Sequence, residues 1–494
     1  MYPILSIITF LPLVGGIAIL FIPKNQVTTI RWTAFAVACV NLFQALGLML
    51  AYFQANVSST SPVAAGAPNS AGISLLLVTL TALLTLVCIG ASFGVEQKVK
   101  NYMAFMLLLE SGIIGVFLST NLFLFYIFWE VMLIPAYFLV GSWGGERRIY
   151  AAFKFVLYTS LGSLLMLAGI IAVGYFHQQT AGGSYTLDLA TLLNSKFSNT
   201  VQVWLMLAFA AAFVVKVPLV PFHSWLPDAY SEAPAPVTAL LAGAMSKTGA
   251  YGLLRFCLQL FPSAAHTLAP LFNTLAVISI LYCAVLALVQ VDLKRLLGYS
   301  SISHLGIIVL GIFAFNTQGI EGSVLQMVNH GITIVALFLI VGLIEAQTGT
   351  RNIKDFGGMA RRVPIMATIL LIATLSSLGL PGLNSFAGEF LALLGAFRNN
   401  VVFGVLGTAV VIPAAWYMSR FFLGLMEGPG PTEGPVASIE RKGRLHDLYF
   451  SDFLVLSPLL LLIFYIGIQP ALLTYLMEPS VVNTLQNLGS AFIR

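Results

Sequence analysis

Residues 213–255 read FVVKVPLVPFHSWLPDAYSEAPAPVTALLAGAMSKTGAYGLLR. Two lysines, Lys216 and Lys247, each stand deep in an apolar run. Between them Pro218, Pro221, Pro227, Pro234 and Pro236 interrupt the chain. A lysine at the centre of a membrane span costs roughly 3 kcal/mol on insertion scales, and such residues mark ion or proton paths. Proline removes a backbone donor and breaks a helix. At membrane depth such a break is tolerated only against protein or a water-filled cavity. The stretch therefore predicts a broken membrane helix beside two proton-handling lysines, not a lipid-facing anchor.

Composition agrees. The chain is 59% hydrophobic and 8% charged, against the roughly 25% charged residues of soluble domains. Its net charge of +5 does not point to nucleic acid, because the basic residues fall in short loops instead of one patch. Cys39, Cys88, Cys257 and Cys283 all lie in apolar runs and form no C-x-x-C pair, so no disulfide framework or metal site is expected. Residues 1–22 lack a basic leader and Lys24 follows the apolar run, as in a retained first span. Neither a phosphate-binding G-x-x-x-x-G-K-[ST] nor a dinucleotide G-x-G-x-x-G is present. The chain is expected to hold no cofactor or metal, and to draw its energy from an ion gradient or from partner subunits.

Apolar runs long enough to cross a bilayer number about fourteen: 3–22, 30–53, 73–93, 101–120, 121–141, 149–175, 201–220, 235–259, 268–291, 295–314, 320–347, 364–395, 402–425 and 452–475. Only Ser119, Thr120 and Asn121 separate the fourth from the fifth. With this alternation fifteen Lys and Arg residues, among them Arg147, Arg148, Arg361, Lys442 and Arg444, share one side, called side one. Three, Lys196, Arg398 and Arg494, fall on the other. The bias predicts that side one is cytoplasmic and that both termini face outward.

Few polar residues remain at membrane depth. Glu130 lies about ten residues into its span, roughly 15 Å along the axis, with a lysine as its expected ion-pair partner. His304 and His330 stand at similar depth, and Glu389 follows a second break at Gly379, Pro381 and Gly382. Lys154 and Glu110 are further candidates. Each has a plainer reading. A lysine can snorkel or bridge a small-residue interface, and a lone histidine can be a satisfied core residue. A carboxylate after a helix break can simply bond free backbone N–H groups. Asp228, Glu232, Asp292, Lys294 and Arg295 read as loop charges facing solvent.

Two broken helices raise the question of an internal repeat. The separations Glu130 to His304 and Lys216 to Glu389 are nearly equal, as expected if 101–259 and 268–425 are two five-span copies. Five being odd, the second copy is inverted. Matching Pro221 to Pro381 gives a different register. The expected fold is an all-α polytopic membrane protein of about fourteen transmembrane helices. Residues 1–100 hold about three of them, 101–259 the first five-helix repeat, 268–425 the second, and 426–494 a charged loop and the last span.

Three long motifs carry a family resemblance: WEVMLIPAYFLVGSWGGERRIYAAFKF at 129–155, PFHSWLPDAYSEAPAPVTALLAGAMSKTGAYGLLR at 221–255, and DLKRLLGYSSISHLG at 292–306. Over about residues 73–425 the chain resembles the antiporter-like, proton-translocating subunits of respiratory complex I. Within that group it is most similar to the chain M family, subunit 4 in mitochondria. Glu389 stands where chains L and N usually carry lysine, and no long lateral helix is foreseen after the last span. The family often has an aspartate before Gly-Ile-Ser at the third span, whereas Ala71 precedes Gly72 here.

The resemblance implies that Glu130, Lys216, Lys247 and Glu389 translocate protons, with His304 and His330 as relay positions. It implies NADH, FMN, iron–sulfur clusters and quinone in partner subunits, and chains L and N on either side. It also implies a bacterial plasma membrane, or an organelle inner membrane. A cation/proton antiporter subunit and the membrane part of an energy-converting hydrogenase share the same polar axis and stay open at this stage.

Overall fold

The computed structural model describes residues 2–57, 71–181, 184–431, 434–441 and 445–490. Lys442, Arg444 and Arg494, used in the topology reading, lie outside these. The described residues are helical, with two isolated β-bridges, Asn121 to Asp188 and Asp292 to Asn352. Eleven of their helices are long and apolar enough to cross a membrane. Ile4–Ile19 and Pro364–Ser377 are shorter apolar helical stretches. The run 235–260 is helical but divided by two π-turns.

Local chemistry sets many of the boundaries. The short turn at 119–121 separates Val99–Leu118 from Leu122–Val131, and Asn121 Oδ1 accepts from Phe123 N at 2.9 Å. Asp292 caps Leu293–Ile312 through Arg295 N at 3.0 Å, and Asn316 caps Thr317–Thr348 through Gly319 N at 2.9 Å. Each such cap contributes about 1 kcal/mol by satisfying an orphan N–H. The predicted breaks are present. Asn199–Lys216 stops before Pro218, and Pro364–Ser377 is separated from Asn384–Asn399 by a turn with Gly379 at φ +70°.

The end of the chain departs from expectation. The span ends at Ile468, not near 475, because Gln469 precedes Pro470 and leaves the helical region. A residue before proline is disfavoured there. A second helix, Ala471–Ser490, follows. It packs across helix ends: Tyr475 meets Phe53 with ring centroids 5.5 Å apart, and Thr484 Oγ1 accepts from Gln259 Nε2 at 3.0 Å.

Leu293–Ile312 and Thr317–Thr348 are buried almost throughout and form the centre of the bundle. Val27–Val57 and Phe450–Ile468 expose broad apolar faces at the rim. Loops on the predicted side one meet one another: Trp143 Nε1 donates to Gln97 O at 2.7 Å, and Arg31 Nη2 to Val95 O at 2.8 Å. Those of the opposite end meet likewise, as in Leu122 N to Leu187 O at 2.9 Å and Ser263 Oγ to Asn199 Oδ1 at 2.9 Å. The ends therefore sort as the alternation of spans requires.

Candidate functional site: a buried polar axis

Lys216 is the last residue of its helix and is wholly buried. Its Nζ makes no hydrogen bond to the described residues and lies over two aromatic faces, 5.3 Å from the Trp129 ring centre and 5.5 Å from that of Phe155. A cation over a ring face is attracted by the ring quadrupole, by about 2 kcal/mol when desolvated. The expected ion pair with Glu130 is not formed. Among the described residues Glu130 bonds no cation, and its Oε1 is buried without a hydrogen-bond partner. The ammonium is bordered by the rings of Trp129 and Phe155 instead.

Lys247 is held differently. It follows a π-turn, Leu241–Met245, and a second one, Leu253–Cys257, comes after it. In the first turn Ser246 N reaches back five residues to Leu241 O, at 3.0 Å. Ala242 O then accepts the Lys247 ammonium at 2.5 Å and the Ser246 hydroxyl at 2.8 Å. Such widened turns recur at functional sites. Lys247 Nζ also donates to Ser246 Oγ at 3.3 Å and lies 2.7 Å from His330 Nδ1.

From there the polar groups run on. The rings of His330 and His304 lie 5.7 Å apart between centroids. His304 Nδ1 is 2.7 Å from Glu389 Oε1, and Gln326 Nε2 donates to the same oxygen at 2.8 Å. Four of the six predicted residues, Lys247, His330, His304 and Glu389, thus form one string through the centre of the bundle. Lys216 and Glu130 stand apart from it: Lys216 packs at Gly249 of the Lys247 helix, where an added Cβ would lie 3.0 Å from Lys216 Cβ. No hydrogen bond joins the two lysines.

A pocket lined by His304, Gln326, His330, Thr333, Ile334, Ser377 and Ser385 lies beside the string. Next to it, hydroxyls and amides bridge the second break. Thr333 Oγ1 and Ser376 Oγ are 2.7 Å apart, Ser376 donates to Asn384 Oδ1 at 2.5 Å, and Asn329 Nδ2 donates to Asn384 O at 2.7 Å. Sequence reasoning missed these residues and Gln326. Their one signal is spacing: Gln326, His330 and Thr333 recur on one face of a helix.

The charges read as solvated loops are instead paired at the end of the bundle. Asp228 bonds Lys154 Nζ at 2.7 Å and Arg295 Nη2 at 3.3 Å. Lys294 is buried against Glu345 at 2.6 Å, and Arg351 Nε bridges Asp292 at 3.1 Å and Glu345 at 3.6 Å. Glu232 Oε2 accepts from Arg147 N at 2.9 Å. Loop 221–234 lacks Lys and Arg of its own, and both of its carboxylates take partners from neighbouring elements. Glu110 is also buried, bonded to Asn41 Nδ2 at 2.7 Å and away from the axis. Among the described residues no group of three or more His, Cys, Asp or Glu is placed to hold a metal ion.

Comparisons with known proteins bear on the family and the fold. Residues 119–413 match the family described as NADH:quinone oxidoreductase/Mrp antiporter, TM. NADH-quinone oxidoreductase subunit M of Rickettsia bellii is 41% identical over 417 residues, covering 84% of this chain and 82% of the relative. Subunit M of Rhodobacter capsulatus is 37% identical over 516 residues, covering 99% and 97%. A chain of respiratory complex I from Thermus thermophilus with bound NADH superposes with a TM-score of 0.85 at 29% identity, covering 98% of this chain and 99% of that one. With more than half of its length matched and relatives this similar along nearly all of it, the chain belongs to the membrane-embedded NADH:quinone oxidoreductase/Mrp antiporter family.

Proposed function

We propose that this chain is a proton-translocating membrane subunit of an NADH:quinone oxidoreductase. The observation that carries the reading is the string Lys247, His330, His304 and Glu389, with contacts of 2.7 Å at both ends. Every member can gain and lose a proton, which a transfer step requires. The resemblance in sequence to subunits M, along nearly the whole chain, supports the assignment to that enzyme.

Residues 101–259 take up the proton and 268–425 release it. Glu130 acts on Lys216 through its field instead of through a direct bond. A carboxylate nearby favours the charged ammonium, and burial disfavours it. A movement that changes either balance passes the proton toward Lys247, and water bridges that gap. From Lys247 the proton moves through the two histidines to Glu389 and leaves outward. The subunit carries no redox group; NADH, FMN, iron–sulfur clusters and quinone work in partner subunits, and quinone reduction there drives the movement. Chains L and N flank it in a bacterial plasma membrane.

The test is proton pumping per electron in the reconstituted complex with Lys216→Ala and Glu130→Ala. Both variants are expected to assemble and to lose most of this subunit's share. Near-normal pumping with either alanine refutes the relay role. The family description also names Mrp antiporters, which favours a second reading as an antiporter subunit. A mass-spectrometric inventory of the intact assembly separates the two: flavin and iron–sulfur subunits accompany the first, and neither accompanies the second.

A further inference from the structure

Glu389 is held by two donors, and only one of them can pass a proton on. His304 Nδ1 and Gln326 Nε2 converge on the same oxygen, Oε1, from two different helices, at 2.7 and 2.8 Å. Gln326 is 1% exposed and lies one helical turn before His330. Its amide lies against the helix that bears Glu389. A Cβ added at Gly388 would stand 2.6 Å from Gln326 Oε1 and 2.8 Å from its backbone nitrogen, so the helix bearing Glu389 presses directly on it. The other carboxylate oxygen, Oε2, faces the helix break, 3.2 Å from the Cβ position of Gly379. The last torsion of a glutamate is broad and roughly two-fold. One donor leaves the carboxylate plane free to swing about that bond, and two donors on separate elements fix it.

We infer that Gln326 is a positioning residue for proton transfer to Glu389: it holds the carboxylate with Oε1 toward His304 and Oε2 toward the break at 379–382. The inference rests on the proton path proposed above. In the step itself the N–H bond at His304 Nδ1 breaks and an O–H bond forms at Glu389 Oε1. A charged imidazolium and a carboxylate become a neutral imidazole and a carboxylic acid. Loss of that proton on the outward side restores the carboxylate. Gln326 gains and loses no proton. Its amide stabilises the ionised carboxylate by hydrogen bonding, and so returns the acceptor to the same orientation after each release.

The experiment uses the whole complex, reconstituted in vesicles, with Gln326→Leu and Gln326→Met. Both side chains fill the space and neither donates a hydrogen bond. Pumping through this subunit is expected to fall about tenfold, the weight of one hydrogen bond to a charged group. Infrared difference spectra give a readout that packing does not move. The carboxylate stretch of ionised Glu389, identified by its loss in Glu389→Gln, shifts in both variants when the amide donor to Oε1 is gone. Gln326→Asn serves if an apolar residue prevents assembly: it stays polar but is one methylene too short to reach Oε1, and is expected to show the same loss and the same shift. Normal pumping with an unmoved band in any assembled variant overturns the inference. Wild-type pumping in Glu389→Gln overturns the proton path itself, whatever Gln326 does, so the two failures are distinguishable.

Discussion

Replacement of Glu389 separates charge from titratability. Glutamine keeps the shape, and its carbonyl oxygen can still accept from His304 Nδ1 and Gln326 Nε2, the two donors at 2.7 and 2.8 Å. Each contact changes from a hydrogen bond to a charged group, worth about 1.5–3 kcal/mol, to a neutral one worth about 0.5–1.5. The expected loss is about 1–3 kcal/mol over the two, too little to separate helices that meet along most of their length. Lysine reverses the charge and offers no acceptor. Both donors then face an ammonium until Gln326 turns its amide over and His304 presents a bare ring nitrogen. Gln326 Oε1 is buried without a partner, so that reversal leaves it newly satisfied. Lysine thus costs more locally, by about 3–6 kcal/mol before the reversal, but it can still carry a proton. If Glu389 is a relay site, glutamine is the worse substitution for pumping and lysine the worse one for stability. The assay is proton pumping per electron for both variants in vesicles at matched assembly levels. Pumping by the glutamine variant at or above that of the lysine variant refutes the reasoning and leaves Glu389 as a structural carboxylate.

Two further outcomes follow from the same structure. Cysteines placed at Arg147 and Arg361 are expected to react with an impermeant reagent from the cytoplasmic side, and one at Thr186 from the opposite side; labelling of Arg147 and Thr186 positions from the same side defeats the span alternation. Gly388→Val forces a side chain into Gln326, and overpacking of this kind costs about 1–3 kcal/mol. It is expected to lower the thermal stability of the purified complex and its pumping together, and an unchanged melting temperature disproves the close approach of the two helices.

The membrane class, the alternation of spans and the two helix breaks were legible in the sequence by itself. These features are local. A run of twenty apolar residues spans a bilayer whatever its neighbours are, and Pro218 or Gly379 interrupts a helix through its own backbone. That Lys216, Lys247, His304 and His330 would be buried was legible for the same reason, since each stands inside one long apolar run. Which of them meet was decided only by the tertiary structure. Lys247, His330, His304 and Glu389 come from four separate helices, and their contacts depend on how far each helix is rotated about its axis. Lys216 Nζ lies over the rings of Trp129 and Phe155 and forms no ion pair with Glu130, although Glu130 adjoins Trp129 in the chain. The π-turns around Lys247 leave no mark in residue type. Asp228, Lys294 and Arg295 read as solvated because their partners, Lys154, Glu345 and Asp228, lie far away in sequence. Gln326 went unremarked because an uncharged amide carries no cost that a composition count detects. Its role follows from packing, where Gly388 lets one helix approach closely enough to set a carboxylate on a neighbour's amide.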